Sequence, residues 1–406
     1  MKTNSDEMHN QEMLLKKIRQ SSEVFDKLAN SYEVWVPESG WLAGRRNRDK
    51  NDSKRKYLDD WTMLSFVFEI DNCHYPMADS YLQYGIDGVI RIAAETLETL
   101  QNNLQSKLQD QTQLDIAYLE SLLHVWKRFR QFVADHMVLA LESAKQETSD
   151  TKKKRYEKIA KICQNLTINK PNTFCEALQL FWFTYLFRSP FGAGCIGRLD
   201  QLLYPFYKHD CEMGIWDQQE AEKMLEEMFT RMNEINTGDT LRNLMLSGQD
   251  AKGNDQTNEI TYLILVAYEN TGGSEPHLNV RFHEKTPKKL RDNCINMLSS
   301  GSGQPTIYFD EAVLPAMEKA GICHEDACQY ANDGCTETVI AGKSAIVFWQ
   351  YEMVKTVELT LFGGNENPCV KPVSMKKNSI HGADFVPKTN LLIGIESKKP
   401  QELTTF

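Results

Sequence analysis

Apolar positions recur along this chain in two rhythms, one helical and one extended, and the change between them divides the sequence. Residues 1 to 60 are polar with helical stretches, of which Met13 to Leu28 is amphipathic. Apolar content rises from Trp61 through Phe66, Val67 and Phe68. Pro76 disfavours helix at Tyr75, so the pattern predicts His74 on a loop. Residues 91 to 169 repeat at helical spacing with Lys, Glu and Gln on the polar face, which predicts two or three long amphipathic helices. Thr173 and Glu176 then form a capping box ahead of Ala177 to Phe183, and the helix it starts is apolar on nearly every side and therefore buried.

The rhythm changes at His277 to His283, where Leu278, Val280 and Phe282 alternate with Asn279, Arg281 and His283 as in a strand. Thr286 and Pro287 suit the start of a helix through Leu298. Pro305 to Phe309 reads as a second strand and Glu311 to Ala320 as a helix. Strand and helix alternate, so the fold class is α/β, with a mostly parallel sheet or barrel.

Composition narrows the function classes. The 406 residues are 41% hydrophobic and 25% charged, as in an ordinary globular protein with a sizeable core. A formal net charge of -10 argues against nucleic acid as a partner, because phosphate contacts need a concentrated basic surface. The basic run from Arg45 to Lys56 is broken by Asp49 and Asp52 and reads as a solvated loop. Ten cysteines in so long a chain do not form a disulfide scaffold, which points to a reducing cytoplasm. No signal peptide is visible, and the most apolar run, Ala177 to Phe187, is too short to span a bilayer.

The candidate chemistry lies in Asn332-Asp333-Gly334-Cys335-Thr336-Glu337. On extended backbone Cys335 and Glu337 would project to one face, bringing a sulfur and a carboxylate to one small molecule. Three other patterns compete. Gly192 to Gly197 matches the dinucleotide-binding glycine pattern, which requires a preceding strand where the sequence predicts a helix. Gly342-Lys343-Ser344 resembles the end of a phosphate loop, but Glu337 stands where a glycine is needed. Cys323, His324, Cys328 and Cys335 have no standard zinc-ligand spacing.

Several segments, in a shared order, resemble the glycyl radical enzymes, the superfamily of pyruvate formate-lyase. They are His74-Tyr75-Pro76 with Tyr84 to Gly88, Phe174 to Leu186, Gly197 to Gln201 with Tyr204 to Tyr207, and Gly248-Gln249-Asp250 with Asn258-Glu259. Leu278 to Arg281, Gln304-Pro305, Gly334 to Glu337 and Glu358 to Leu361 leading to Gly363-Gly364 continue the series. The resemblance implies a portion of a ten-stranded α/β barrel surrounded by long helices, with residues 61 to 406 as an incomplete pyruvate formate-lyase-like domain behind a polar segment at 1 to 60.

By the same resemblance Cys335 carries a transient thiyl radical, Glu337 is the general base and His74 orients a substrate oxygen. Pyruvate formate-lyase itself resembles a two-cysteine version, so Gly-Cys-x-Glu points to the eliminating lyases, dehydratases and decarboxylases. Thr336, Thr338 and Phe309 depart from the Val, Pro and Asn usual in relatives, which leaves the small-molecule substrate open. No cofactor is implied as bound directly; a glycyl radical is installed by an S-adenosylmethionine radical activating enzyme. The family's Arg-Val-x-Gly-Tyr type loop does not occur in residues 1 to 406. The expectation is a first part of a longer enzyme, homodimeric when complete, that needs a C-terminal partner polypeptide bearing the glycine. The rival expectations are an inactive remnant or interaction protein, and a dinucleotide-dependent oxidoreductase.

Overall fold

The helical repeat of residues 91–169 folds as three long helices, preceded by one more that the polar N-terminal segment supplies. In this computed structural model the described residues are 4–45, 79–103, 110–188, 194–234, 242–272, 274–334, 336–341 and 343–344. They include α1 (Asn4–Ser31), α2 (Asp79–Asn103), α3 (Asp110–Gln146) and α4 (Asp150–Ile168). Helix α3 packs against α1, α2 and α4. Gly85 interrupts α2 at φ 71, where it faces the Asn169–Lys170 linker so closely that a Cβ would lie 2.6 Å from the Lys170 Cα.

The capping box predicted ahead of the apolar helix is present at the start of α5 (Phe174–Arg188). Thr173 Oγ1 accepts from the Glu176 backbone N–H at 3.3 Å, and Glu176 Oε2 accepts from that of Thr173 at 3.2 Å. Every residue from Ala177 to Phe187 is buried, so α5 is the central helix of the core. Its two buried polar side chains have partners. Gln179 accepts from Ala43 N–H at 2.7 Å and donates to the Ala43 carbonyl at 3.0 Å, and Thr184 donates to the carbonyl of Phe181 at 2.8 Å. Phe25 stacks on Phe187 and Tyr32 packs on it at a tilt, while Phe129 and Phe132 meet it edge-on, so the N-terminal helix shares this core.

That aromatic cluster also holds a buried histidine. His136 is 0% exposed and lies 4.5 Å from the Phe132 ring and 5.0 Å from that of Phe183, centroid to centroid. Burial pushes its pKa from 6.5 down to about 4, against the opposing pull of the Phe132 carbonyl and Asp135. The unfolded chain therefore binds a proton near pH 6.5 that the folded chain refuses until about 4. Between those values the unfolded state holds more protons, and stability falls as pH drops. The full gap corresponds to about 3 kcal/mol, at about 1.4 kcal/mol per pH unit. Urea midpoints between pH 6.5 and 4 are expected to fall less steeply in His136→Leu than in the parent, by about one proton.

Four parallel strands follow in sheet order β1 (Gly194–Gly197), β2 (Arg242–Ser247), β3 (His277–Phe282) and β4 (Thr306–Phe309). Parallel neighbours need crossovers. Helices α6 (Leu199–Met213) and α7 (Gln218–Glu234), then α8 (Glu259–Thr271), then α9 (Lys288–Ser299), provide them. Helix α10 (Asp310–Lys319) and the short α11 (His324–Ala327) lead to a small antiparallel pair, β5 (Ala331–Asn332) and β6 (Thr338–Val339).

Alternation gives the sheet two unlike faces. Ile196, Leu244, Leu246, Leu278 and Val280 join the helical core. Asn243, Met245, His277, Asn279, Arg281 and Thr306 occupy the other face by strand periodicity and register. Strand β5 lies against β1 and β2.

Candidate active site

A tight hairpin, not an extended strand, holds the candidate loop. Ala331 pairs with Val339 and Asn332 with Thr338. Within the turn Asp333 N–H donates to the Glu337 carbonyl and Thr336 N–H to the Asp333 carbonyl, both at 2.9 Å. Thr336 has φ 83, a left-handed conformation uncommon for a β-branched residue. This corrects the extended-backbone reason for setting Cys335 and Glu337 on one face, because strand alternation fails across a residue with positive φ. Glu337 is half-buried and Thr336 exposed. Cys335 and His74 lie outside the described residues, as does the segment from Glu358 to Gly364.

The sheet's polar face fixes this hairpin. Asn243 is 1% exposed, and its Nδ2 donates to the Asp333 carbonyl at 2.5 Å and the Gly334 carbonyl at 3.1 Å. Asn279, also 1% exposed, donates from Nδ2 to Asn243 Oδ1 at 2.8 Å. On β4, burial raises the Tyr308 pKa, and the neighbouring Asn332 and Thr336 side chains pull it back. Sequence reading placed Asn279 in a strand and in the family segment Leu278 to Arg281 without tying it to the loop, and did not single out Asn243. The available signal was a polar residue on the hidden side of a strand, since Asn279 falls between the core residues Leu278 and Val280.

Beneath the hairpin the strand ends converge on a buried ionic platform. Arg281 and Asp310 are both 0% exposed and form a bidentate pair, Nε to Oδ1 at 2.8 Å and Nη2 to Oδ2 at 2.9 Å. Arg281 Nη1 donates to the Cys328 carbonyl at 2.9 Å, and its guanidinium stacks 4.0 Å from the centroid of Tyr330. The Tyr330 hydroxyl donates to Asp310 at 3.0 Å. Arg198 binds the Ser247 carbonyl at 2.8 Å and the Cys328 carbonyl at 3.2 Å, and burial beside Arg281 pushes its pKa down to about 10. Burial pushes Asp200 up, although it accepts from Ser247 N–H and the Thr261 hydroxyl. These charges hold backbone carbonyls just ahead of β5, so they orient the chain that enters the loop.

Gly248 makes the platform possible. It has φ 98, and a Cβ there would lie 2.4 Å from Arg281 Nε. Gly248→Ala is expected to destabilise the chain by roughly 2–4 kcal/mol in urea denaturation, combining left-handed strain with displacement of the guanidinium.

The competing patterns fold differently. Gly194 and Gly197 lie in β1, and helix α5 runs to Arg188 where the dinucleotide pattern requires a strand. This corrects the dinucleotide expectation. His324 donates from one ring nitrogen toward Glu318 at 2.6 Å, while the other lies 3.6 Å from Cys328 Sγ. Among the described residues no helix is long and apolar enough to cross a membrane.

With this geometry, comparison of folds gives the class. The chain superposes on the glycerol-bound B12-independent glycerol dehydratase of Clostridium butyricum with TM-score 0.67 and 19% identity, over 83% of this chain and 55% of that one. It superposes on hydroxyproline dehydratase of Clostridioides difficile, solved with trans-4-hydroxy-L-proline, with TM-score 0.62 and 28% identity over 72% and 39%. The fold is that of the glycyl radical enzymes, an α/β barrel.

The sequence pattern of the pyruvate formate lyase-like family matches residues 53–384, and the chain belongs to that family. It is 33% identical over 263 residues to trans-4-hydroxy-L-proline dehydratase of Clostridioides difficile, covering 60% of this chain and 33% of that protein. It is 32% identical over 237 residues to isethionate sulfite-lyase of Nitratidesulfovibrio vulgaris, covering 54% and 29%. The chain thus matches a minor share of the length of these curated relatives.

Proposed function

We propose that this chain is the cysteine-bearing portion of a cytoplasmic, homodimeric glycyl radical lyase that eliminates water or another group from a small hydroxylated substrate. It acts with a glycine-bearing segment and an S-adenosylmethionine radical activating enzyme. The observation that carries the reading is the left-handed Thr336 in a turn whose Asp333 and Gly334 carbonyls are held by a buried amide over the polar face of a parallel sheet. Backbone strain of this kind persists only where the surroundings over-determine it, and it clusters at reactive sites. The relatives named dehydratase and lyase support elimination as the reaction type.

The glycyl radical supplies the odd electron that Cys335 holds as a thiyl. Cys335 takes a hydrogen atom from the substrate carbon bearing the hydroxyl and becomes a thiol. The carbon radical acidifies that hydroxyl, and Glu337 removes its proton. The resulting ketyl expels the leaving group with its bonding pair from the neighbouring carbon. Cys335 returns the hydrogen atom to the product radical and is a thiyl again. His74 orients the substrate oxygen. Asn279 Oδ1, which has no hydrogen-bond partner among the described residues, fits a substrate that offers a hydroxyl proton.

The test is anaerobic reconstitution of the full chain with a glycine-bearing polypeptide and an activating enzyme. The panel of substrates starts with glycerol, trans-4-hydroxy-L-proline and isethionate. Turnover of a hydroxylated compound is expected; a complex that carries an organic radical by electron paramagnetic resonance yet consumes none would sink the reading.

A further inference from the structure

The geometry points to Asn243 and Asn279 as a two-amide relay that positions the loop bearing Cys335. It rests on the proposed reading only for the loop's importance, since the relay itself can be tested without turnover.

The argument is one of donors and acceptors. Two consecutive backbone carbonyls, Asp333 and Gly334, face the Asn243 carboxamide at 2.5 and 3.1 Å. Carbonyls only accept, so Asn243 must present Nδ2 to them, and its Oδ1 must point away. Oδ1 then needs a donor, which Asn279 provides through Nδ2 at 2.8 Å. The same Asn279 nitrogen lies 3.3 Å from the His277 carbonyl, a second acceptor that fixes its orientation. Neither amide can flip without setting oxygen against oxygen inside a buried site. The loop residues just before Cys335 are therefore tied, through one side chain, to the start of β2 and then to the middle of β3. The sheet hydrogen bonds of β2 itself do not involve these side-chain atoms. Losing the relay should loosen the turn and leave the sheet intact.

The experiment is amide hydrogen exchange on the full chain, read at residues 333–337 and at β2, together with iodoacetamide labelling of Cys335 mapped by mass spectrometry. Asn243→Asp keeps the shape and removes the donor, and Asn279→Leu removes the support for Asn243. Met245→Leu, on the same face of the same strand, is the packing control. Exchange in the turn is expected to rise about tenfold in Asn243→Asp, the effect of losing a buried hydrogen bond, and less in Asn279→Leu. Labelling of Cys335 accelerates in parallel. Met245→Leu stays within about twofold of the parent, as a volume-conserving change should.

A turn that exchanges as in the parent when Asn243→Asp is folded overturns the relay, as does a rise shared equally by β2. Should Asn243→Asp fail to fold, Asn279→Leu decides: a rise confined to the turn supports the relay and none overturns it. In the reconstituted enzyme Asn243→Asp lowers kcat with KM little changed, whereas Asn279→Leu also raises KM, because it removes the oxygen that fits the substrate hydroxyl. A relay that passes the exchange test in a chain without turnover refutes the proposed reaction and not the relay.

Discussion

Replacing Arg281 by leucine is expected to cost about 3–5 kcal/mol in chemical denaturation, the loss typical of breaking a buried pair from one side. The loss arises in three places. Asp310 is left buried with its bidentate partner gone, keeping, among the described residues, the Tyr330 hydroxyl and the Gln249 N–H. The Cys328 carbonyl keeps only the longer contact from Arg198. Tyr330 loses the cation over its ring, which contributes roughly 1–2 kcal/mol when desolvated. Because the cost comes mainly from orphaning Asp310, the double replacement Arg281→Leu with Asp310→Leu should recover part of it. If the single variant loses under about 1 kcal/mol, the platform does not support the fold, and the buried-pair argument fails.

The platform also shows where sequence reading stopped. Helix α5 and strand β3 were legible because their signals are local. A cap lies three residues from its partner, and alternation repeats every second residue. Arg281 and Asp310 are 29 positions apart, and nothing in either segment announces the other. The alternation at His277 to His283 did show Asn279 and Arg281 on one face, but it could not show that this face is buried too. Burial there comes from β5 and the segment from Cys328 to Tyr330 crossing the sheet, a tertiary event.

The candidate loop was found by residue type, while its shape was misjudged for the same reason. Hydrogen bonds within the turn and from Asn243 impose φ 83 on Thr336, against a local preference for extended backbone. The glycine pattern at 192–197 misled in the opposite direction, since spacing alone does not say whether glycines sit in a turn or in a strand. There the preceding capping box was the better guide.

In the reconstituted enzyme Cys335→Ala and Glu337→Gln are both expected to abolish product formation, but at different steps. Alanine has no S–H bond to make or break, so Cys335→Ala leaves every substrate C–H bond untouched. Glutamine cannot take the hydroxyl proton, yet the thiyl at Cys335 can still remove hydrogen from carbon and give it back. The thiol proton exchanges with solvent while the carbon radical waits. In deuterium oxide, Glu337→Gln should therefore place deuterium on the carbon bearing the hydroxyl in recovered substrate, and Cys335→Ala should place none. Loss of turnover for Glu337→Gln should exceed the roughly 100-fold lower limit usual for removal of a general base, because the eliminating step has no other proton acceptor assigned. Deuterium in substrate recovered from Cys335→Ala would assign hydrogen abstraction to another residue. Turnover by Glu337→Gln at the parent rate would remove the carboxylate from the reaction, and with it the reason to read Gly334 to Glu337 as an eliminating site.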